Sequence, residues 1–488
     1  MVEKIIGRKP EQEALSRLYA SGEAEFLALY GRRRVGKTFL IRNTFADARL
    51  YFELTGQRES SLGEQLDNFA DVFGDTFMGG RRLSRPQTWR DAFSLLASQI
   101  EGMKSQAKKV VFLDELPWLA SRRSGFLQAL DYFWNHWASR RSDVLLIVCG
   151  SAASWMIKKV IHHKGGLHNR ITARMRLFPF TLDETEAYLQ SRGIRLDRMQ
   201  TAELYMAMGG VPHYLRQIQR GSSASQNIDR MCFGKDGILV DEFSQLFASL
   251  FEHAAPYIDV VRALARNHRG MTRDDILQVT DLSTGGGATD VLCGLEESGF
   301  TGSYVPFGKT RKEMLYYLMD EYSLFFLTWI EGAPRNVLSR PHSGYWLDKS
   351  RSRSWSSWSG YAFERVCQKH SRQIEMALGI SGISTVTSSW QYRPQTDEEQ
   401  GVQIDLVIDR ADRVVTLCEI KFCDRPYVIT KGYAARLREK IDTFRRITRT
   451  RKALFLAMIT PQGVETNDHA VQIVQQEATL DDLYAETA

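Results

Sequence analysis

Short apolar runs alternate with amphipathic stretches over the first third of the 488-residue chain. The clearest runs are FLALY (26–30), VVFLDE (110–115) and VLLIVCG (144–150). Runs of this kind are typical of parallel strands that are buried on both faces, and their alternation with helical stretches is typical of βα units. Residues 1–180 are therefore predicted to form an α/β core.

The remaining segments follow other patterns. Residues 181–250 have helical spacing, as in DETEAYLQSRGI, and are predicted to form a helical lid. Residues 255–320 are predicted to form three helices and then a hairpin. Residues 331–359 are rich in Pro, Gly, Ser and Trp without a sustained period, which predicts a linker. Residues 360–488 are predicted to form a second α/β domain.

Composition is that of an ordinary globular protein, with 43% hydrophobic and 25% charged residues. The net charge of +6 permits contact with nucleic acid without demonstrating it. The N-terminus lacks the apolar region of a secretory signal, and no apolar run reaches the roughly 18 residues of a membrane span. The six cysteines form no CxxC pair. We therefore expect a cytoplasmic protein with reduced thiols and no membrane partner.

A phosphate-binding loop is predicted where FLALY runs into GRRRVGKT, which matches G-x4-G-K-[ST] at every fixed position. Glycines let the backbone N–H groups turn toward phosphate oxygens, the lysine meets the β- and γ-phosphates, and the hydroxyl binds Mg²⁺. A chance glycine turn is the alternative, but the loop follows a predicted strand and opens an apolar helix. The residues predicted to contact ATP here are Gly31, Arg32, Arg33, Arg34, Val35, Gly36, Lys37, Thr38 and Phe39.

Two carboxylates end the next apolar run, in VVFLDELPWL. Asp114 is predicted to hold Mg²⁺ together with Thr38. Glu115 is predicted to act as the general base that activates water. A strand that merely ends in acidic residues is the alternative.

The middle segment 251–330 is predicted to be a winged helix-turn-helix, a domain that often reads DNA with its third helix. Its charges argue against DNA reading, since no Lys or Arg lies between Arg273 and Lys309, and the third helix carries Asp290, Glu296 and Glu297. Affinity for duplex DNA comes largely from neutralised phosphates. Packing or partner docking is therefore the favoured role.

A second group of candidate catalytic and metal-binding residues is predicted in the C-terminal domain. Asp405 lies in the strand GVQIDLVIDR, and Glu419 and Lys421 lie in VVTLCEIKF, after a short ADR turn. Residues i and i+2 of a strand share a face, and the turn brings Asp405 approximately opposite Glu419. Glu364, on the amphipathic helix GYAFERVC, is predicted to reach the same place. The three carboxylates would bind Mg²⁺ or Mn²⁺, which would activate water beside Lys421.

Basic residues follow this second group. Ten Lys or Arg lie between Arg425 and Lys452, against Glu439 and Asp442. Arg436, Arg438, Arg445 and Arg446 fall on one predicted helix, which fits a surface that contacts phosphates. The alternative for this helix is an ordinary solvated face. The alternative for the carboxylate group is a surface hairpin with a salt bridge.

The order of these motifs resembles the archaeal-type AAA ATPases that carry a winged-helix region and a C-terminal PD-(D/E)xK nuclease-like domain. The resemblance implies that Ser151 ends a sensor strand, that Arg170 is an arginine finger, with Arg174 and Arg176 as weaker candidates, and that the protein is a homo-oligomer. It also implies that GGVPHYL, with Pro212, closes over adenine. Ile6, Gly7 and Arg8 match the first sequence motif of the same ATPases, which the resemblance places beside the adenine base.

Three functions are compatible with these patterns. The leading one is an ATPase coupled to a metal-dependent nuclease that acts on nucleic acid, with ATP, Mg²⁺ and possible Mn²⁺ as cofactors. The second is a signalling or defence switch ATPase whose nuclease-like domain only binds nucleic acid or a partner. The third is a winged-helix transcription regulator, against which the acidic third helix argues.

Overall fold

The computed structural model describes residues 3–103, 107–121, 123–161, 169–338, 344–394 and 400–486. The chain divides into two compact units, which are Met1–Pro179 with Ala248–Glu252, and Phe180–Phe247 with His253–Ala488. Among the described residues, no helix combines the length and the apolar character needed to cross a membrane.

A five-stranded parallel sheet, in the order β2-β3-β4-β1-β5, forms the centre of the first unit. Its strands are β1 (Glu25–Tyr30), β2 (Tyr51–Thr55), β3 (Lys109–Asp114), β4 (Val144–Gly150) and β5 (Ala173–Arg176). The helices of this unit are α1 (Lys9–Ala20), α2 (Lys37–Thr44), α3 (Leu62–Phe77), α4 (Trp89–Glu101), α5 (Leu116–Leu119), α6 (Phe126–His136) and α7 (Ala153–Met156).

Both faces of this sheet are buried. Phe26 and Ala28 of β1 pack into one hydrophobic cluster, and Leu27 and Leu29 pack into another. This burial explains why β1, β3 and β4 are apolar at consecutive positions. The sequence did not reveal β2 and β5, because they are short and partly polar.

Helices come first in the second unit. They are α8 (Leu182–Ser191), α9 (Arg198–Met208), α10 (Pro212–Leu215) and α11 (Ala224–Cys232), followed by α12 (Glu242–Leu250), whose residues 248–250 belong to the first unit. Three more helices and an antiparallel hairpin come next, as the pattern predicts: α13 (Ala255–Arg266), α14 (Arg273–Val279), α15 (Gly286–Glu297), β6 (Thr301–Tyr304) and β7 (Leu315–Leu318). Then come α16 (Glu321–Phe325), α17 (Arg335–Leu338) and α18 (Tyr345–Lys349).

The linker prediction is wrong for residues 344–359, which are packed into the second unit. Trp346, Trp355 and Trp358 are buried there, and their rings lie 5.5–6.5 Å from that of Trp329. A buried tryptophan removes a large apolar area from water. That burial outweighs the local excess of Ser and Gly on which the linker prediction rested.

A mixed sheet in the order β12-β11-β10-β9-β8 completes the second unit. Its elements are α19 (Arg353–Lys369), α20 (Ser371–Ala377), β8 (Thr385–Tyr392), β9 (Val402–Arg410), β10 (Val414–Ile420), α21 (Lys431–Thr448), β11 (Ala453–Ile459), α22 (Asp468–Ile473) and β12 (Gln476–Ala478). Strands β8, β9 and β10 are antiparallel, and β10, β11 and β12 are parallel. Helix α21 is the crossover between the parallel strands β10 and β11, as such a connection requires.

Candidate functional sites

The loop between β1 and α2 has the backbone shape that the glycine motif predicts. Gly31 has φ 140° and Gly36 has φ 92°, a region that side chains rarely adopt. A Cβ atom at Gly31 would also lie 2.3 Å from the carbonyl oxygen of Leu177. The loop therefore needs glycine at Gly31 for both conformation and space.

Lys37 and Thr38 begin α2 at the end of this loop. The buried Lys37 donates hydrogen bonds through Nζ to the carbonyl oxygens of Gly31 and Arg32, each at 2.9 Å. Thr38 Oγ1 donates to Asp114 Oδ2 at 2.6 Å. The hydroxyl and the carboxylate predicted to share Mg²⁺ are thus adjacent.

Three strands bring the polar residues together at one edge of the sheet. Because β4 lies between β1 and β3, the carboxyl ends of all three strands meet there, which is where open α/β sheets bind ligands. Ser151, directly after β4, donates from Oγ to Glu115 Oε2 at 3.0 Å. The backbone N–H of Glu115 donates to Asp114 Oδ1 at 2.9 Å.

Glu115 has an unusual backbone and an unusual charge environment. Its φ of 47° lies in the left-handed region, which costs free energy and is concentrated at functional sites. Burial raises the pKa of Glu115, and the Asp114 carboxylate raises it further, against the opposing effects of Lys37 and Ser151. A carboxylate with a raised pKa is a stronger proton acceptor, as a general base needs to be.

The N-terminal segment contacts the phosphate-binding loop. The buried Arg8 precedes α1 and donates through Nη2 to the carbonyl oxygen of Val35 at 3.3 Å. Ile6 and Gly7 precede it, and Gly7 has φ 63°. Around the loop, Arg33 and Arg34 are half-buried and Phe39 is exposed. Arg8 thus contacts the loop directly, and the roles of these residues toward a nucleotide stay predictions.

Arg170, the predicted finger, is exposed in the turn before β5. On β5, Arg174 is exposed, and the guanidinium of Arg176 lies 4.5 Å from the ring of Phe178. Pro212 lies in the second unit, at the start of α10, after Gly209 and Gly210. The backbone of Gly210 packs on Phe180, and the N–H of Phe180 donates to the carbonyl oxygen of Gly210 at 2.7 Å.

In the C-terminal sheet, Asp405, Glu419 and Lys421 come together as the hairpin pattern predicts. Cys418 pairs with Leu406, so Asp405 and Glu419 occupy the next positions of their strands. Asp405 Oδ2 accepts a hydrogen bond from the N–H of Ile420 at 3.0 Å. Lys421, just after β10, donates from Nζ to Glu419 Oε1 at 2.8 Å.

Helix α19 carries Glu364 to the same region. Glu364 and Asp405 line a small pocket of about 20 Å³, about the space of one water molecule. Burial, followed by the nearby Asp405 carboxylate, raises the pKa of Glu364 to about 8. Burial, followed by Glu419, raises the pKa of Asp405 to about 6. These two carboxyl groups are therefore close enough to repel each other when both are ionised.

Glu419 is surrounded by donors instead. Lys440 Nζ lies 2.6 Å from Glu419 Oε2, and Tyr433 donates its hydroxyl to Oε1 at 2.9 Å. Although burial favours the neutral acid, Lys421 and Lys440 hold the pKa of Glu419 below its usual range. Across the described ranges, no group of three or more His, Cys, Asp or Glu side chains could hold a metal ion. The predicted three-carboxylate cluster is thus not formed in this arrangement, and the metal roles of its members stay predictions.

Residues 6–218 match a family described as an ATPase domain predominantly from Archaea. This segment is an archaeal-type P-loop ATPase domain. It contains the glycine loop, Asp114, Glu115 and Ser151, and the match implies ATP as the ligand, with Mg²⁺ as its usual companion.

The chain is also similar to two curated proteins and to a solved structure. An uncharacterized protein of Methanocaldococcus jannaschii is 21% identical over 433 residues, which cover 86% of this chain and 88% of that protein. An uncharacterized ATP-binding protein of the same organism is 42% identical over 46 residues, 9% of this chain and 78% of that protein. A Walker-type ATPase of Pyrococcus abyssi has a TM-score of 0.48 at 17% identity, covering 66% of this chain and 96% of its own.

The C-terminal end of α19 contacts the part of the ATPase domain that lies in the second unit. His370 Nε2 accepts a hydrogen bond from the N–H of Leu182 at 3.1 Å, and its Nδ1 lies 2.8 Å from the carbonyl oxygen of Val366. The ring is therefore neutral, with its proton on Nδ1. Beside it, Lys369 donates to the buried Glu321 at 2.7 Å. A Cβ atom on Gly209 would lie 3.0 Å from the same carboxylate.

We expect His370 to make the stability of the second unit fall in mild acid. Burial lowers the pKa of His370 from 6.5 to about 4. Below pH 6.5 the His370 imidazole is protonated in the unfolded chain, whereas in the folded protein it stays neutral until about pH 4. The free energy of unfolding therefore falls as the pH is lowered across this window. Between pH 7.5 and 5 the loss from this residue is about 2 kcal/mol.

The measurement is urea unfolding at both pH values. The His370→Gln variant should be less stable than wild type at pH 7.5 and should lose less stability on acidification. His253→Gln, at an exposed histidine, is the control and should behave as wild type. An unchanged pH dependence in His370→Gln would show that the buried ring does not control this transition.

Sequence reasoning missed Lys440 and Tyr433 as members of the C-terminal site. Lys440 was counted only as part of a basic helix. A signal was present, because Tyr433, Leu437 and Phe444 form the buried stripe of α21 and Lys440 follows the same helical spacing. A lysine on an apolar stripe needs a buried partner, and Glu419 is that partner.

Proposed function

We propose that this protein hydrolyses ATP and that its nucleotide state controls a metal-dependent nuclease site in the C-terminal α/β domain. Helix α19 carries this proposal. Glu364, in the middle of the helix, lines the carboxylate pocket, and His370, just after its end, accepts a hydrogen bond from Leu182 of the ATPase domain. Lys369, at the end of the helix, pairs with Glu321, whose carboxylate lies against Gly209 of that domain. A helix is stiff, so displacement of Leu182 or Gly209 would be transmitted to Glu364.

At the ATP site, the side chains have separate tasks. Lys37 binds the β- and γ-phosphates as a point charge. Thr38 and Asp114 would hold Mg²⁺, which neutralises phosphate charge when bound. Glu115 orients the attacking water and accepts its proton, while Ser151 fixes the carboxylate of Glu115 through the 3.0 Å hydrogen bond.

At the C-terminal site, Asp405 and Glu364 fit one divalent cation. Both carboxylates face a pocket with the space of one water molecule, and carboxylate oxygens are the donors that Mg²⁺ and Mn²⁺ prefer. The cation would supply an activated water and charge stabilisation. Lys421 stabilises negative charge that develops on a phosphodiester.

Nucleic acid is the proposed substrate, because exposed cations lie on α21, the helix that also supplies Lys440 to the site. Arg436, Arg438, Arg445 and Arg446 are exposed on this helix. Exposed guanidinium groups bind phosphates without reading sequence. DNA and RNA are both compatible with such contacts.

The second candidate is a switch ATPase whose C-terminal domain binds nucleic acid or a partner without cutting. The saturation of Glu419 by two lysines and a tyrosine favours it, because a conventional three-carboxylate cation site would use this residue. The two functions differ in one observable, which is phosphodiester cleavage.

The test is incubation of the purified full chain with labelled single- and double-stranded DNA and RNA, with Mg²⁺ or Mn²⁺ and with or without ATP. Cleavage of at least one substrate that stops when EDTA is added supports the nuclease. Binding of these substrates without cleavage in any condition supports the switch instead.

We also propose that the protein assembles through the ATPase domain and that Arg170 acts on the ATP of a neighbouring subunit. An arginine finger contributes roughly 10³–10⁵ in rate in P-loop enzymes. Arg170→Ala should therefore lower ATP turnover by about that factor without changing ATP affinity. Arg49→Ala, at an exposed arginine of the same unit, is the control.

ATP turnover of two mixed variants tests the assignment of this arginine finger. Arg170→Ala mixed with Lys37→Ala should regain part of the turnover, because mixed neighbours combine an intact finger with an intact ATP site. A strictly monomeric protein, or full turnover in Arg170→Ala alone, would contradict the assignment.

A further inference from the structure

Glu419 is the most heavily hydrogen-bonded carboxylate of the C-terminal site. Its Oε1 accepts from Lys421 at 2.8 Å and from Tyr433 at 2.9 Å, and its Oε2 accepts from Lys440 at 2.6 Å. The side chain of Glu419 is only 4% exposed, while those of Lys421 and Lys440 are 32% and 25% exposed. The carboxylate is therefore enclosed, and the two lysine side chains are partly exposed.

The other two carboxylates have a different neighbourhood. Glu364 and Asp405 line the water-sized pocket together with Gln368 and Gln403 and with the cationic side chains of Arg269 and Arg365. Glu419 and Lys421 are not among the residues that line it. The three acidic groups thus belong to two places, a pocket with two carboxylates and an ion-pair cluster around the third.

A cation and an ammonium group cannot easily share a carboxylate oxygen. A divalent ion would lie 2.0–2.6 Å from its ligand oxygen, and the ammonium groups already lie 2.6 and 2.8 Å from the two oxygens of Glu419. Cations that close together repel strongly where solvent is excluded. Binding of a metal ion to Glu419 would therefore require one lysine to leave.

We propose that Glu419 is a positioning residue, which holds Lys421 and Lys440 as two adjacent ammonium groups, and that cation binding falls to Asp405 and Glu364. This inference rests on the proposed nuclease function and departs from the three-ligand site predicted from the sequence. Tyr433 fixes the carboxylate from the same helix as Lys440. Two ammonium groups at fixed spacing suit a phosphate diester, whose negative charge grows as water attacks phosphorus.

Measurements of Mn²⁺ affinity can distinguish the role of Glu419 from those of the other two carboxylates without a cleavage assay. Mn²⁺ binding to the full chain, without nucleotide, is measured by titration calorimetry for wild type, Asp405→Asn and Glu419→Gln, which all keep the same ATP site. We expect Asp405→Asn to weaken binding at least about tenfold, the usual scale for a lost ligand or its partner. Glu419→Gln should stay within about threefold of wild type. Equal loss in both variants, or no loss in Asp405→Asn, would overturn the proposal.

Cleavage kinetics test the positioning of the lysines. Lys440→Ala should lower kcat at least about tenfold with little change in KM or in Mn²⁺ affinity, and Lys440→Arg should recover part of the loss. The control is Lys431→Ala, an exposed lysine at the start of the same helix. A kcat for Lys440→Ala equal to that of this control would overturn the role of Lys440.

The outcomes also separate this inference from the function on which it rests. If Mn²⁺ binding follows the expected pattern but wild type cuts no substrate, the nuclease proposal fails and the division of the carboxylates stands. If wild type cuts and Glu419→Gln loses Mn²⁺, the nuclease stands and Glu419 is a ligand. Circular dichroism and unfolding midpoints of each variant identify any loss of the fold.

Discussion

The Glu115→Gln variant is expected to bind ATP as tightly as wild type and to hydrolyse it about 10²–10⁴ times more slowly, the usual contribution of a general base. The amide keeps an oxygen that can accept the hydrogen bond from Ser151. It loses the basic carboxylate, whose pKa burial and Asp114 raise. Turnover is measured as phosphate release at saturating ATP, and binding is measured with a fluorescent nucleotide.

Two comparisons make this result specific. Lys37→Ala should lose nucleotide affinity itself, about 10- to 100-fold, because hydrogen bonds from a charged donor contribute about 1.5–3 kcal/mol. Glu13→Gln, at an exposed position of α1, should match wild type in both assays. Wild-type turnover in Glu115→Gln would remove this residue as the base.

The Asp405→Asn variant is expected to lose at least about 100-fold in phosphodiester cleavage, because a catalytic cation supplies several kcal/mol of transition-state stabilisation. Asparagine still offers an oxygen to the N–H of Ile420, so the strand register should persist. The readout is cleavage of a labelled oligonucleotide under single-turnover conditions.

Asp424→Asn is the matched control, since Asp424 is 81% exposed near the same sheet edge. It should cut at the wild-type rate. Equal cleavage by Asp405→Asn and wild type would show that this carboxylate takes no part in the reaction.

The conformation of the candidate phosphate-binding loop could be predicted almost completely, because its signal is local. Gly31, Gly36, Lys37 and Thr38 lie within eight consecutive residues, and the positive φ angles of the two glycines follow from residue type. The contact between Thr38 and Asp114 spans 76 positions. It follows from a general rule, since carboxyl ends of parallel strands meet at one edge of the sheet.

The C-terminal site could be predicted only in part. The short turn after β9 fixes the register, so the proximity of Asp405 and Glu419 is predictable. The contact between Lys440 and Glu419 depends on how α21 docks after β10. The apolar stripe of α21 places Lys440 on the buried face of the helix, but the stripe does not say which carboxylate that face meets. Without the docking of α21 the three carboxylates appear equivalent.

The linker prediction was wrong because it used local composition, whereas tertiary packing decides the structure of this segment. Residues 331–359 predict a linker because they are rich in Pro, Gly, Ser and Trp without a sustained period. Their tryptophans pack with Trp329 and Phe325, which precede them in the chain. Tertiary packing of a few large rings overrides local propensity in such a segment.

Control of cleavage by nucleotide state is the claim on which the whole account depends. The most direct measurement is the single-turnover cleavage rate of wild type with ATP, with ADP and without nucleotide, at fixed Mg²⁺ and with the best substrate. The rate with ATP is expected to differ at least about threefold from the rate without nucleotide, and Lys37→Ala is expected to show no such difference. Equal rates in all three nucleotide states, or no cleavage in any of them, would contradict this claim.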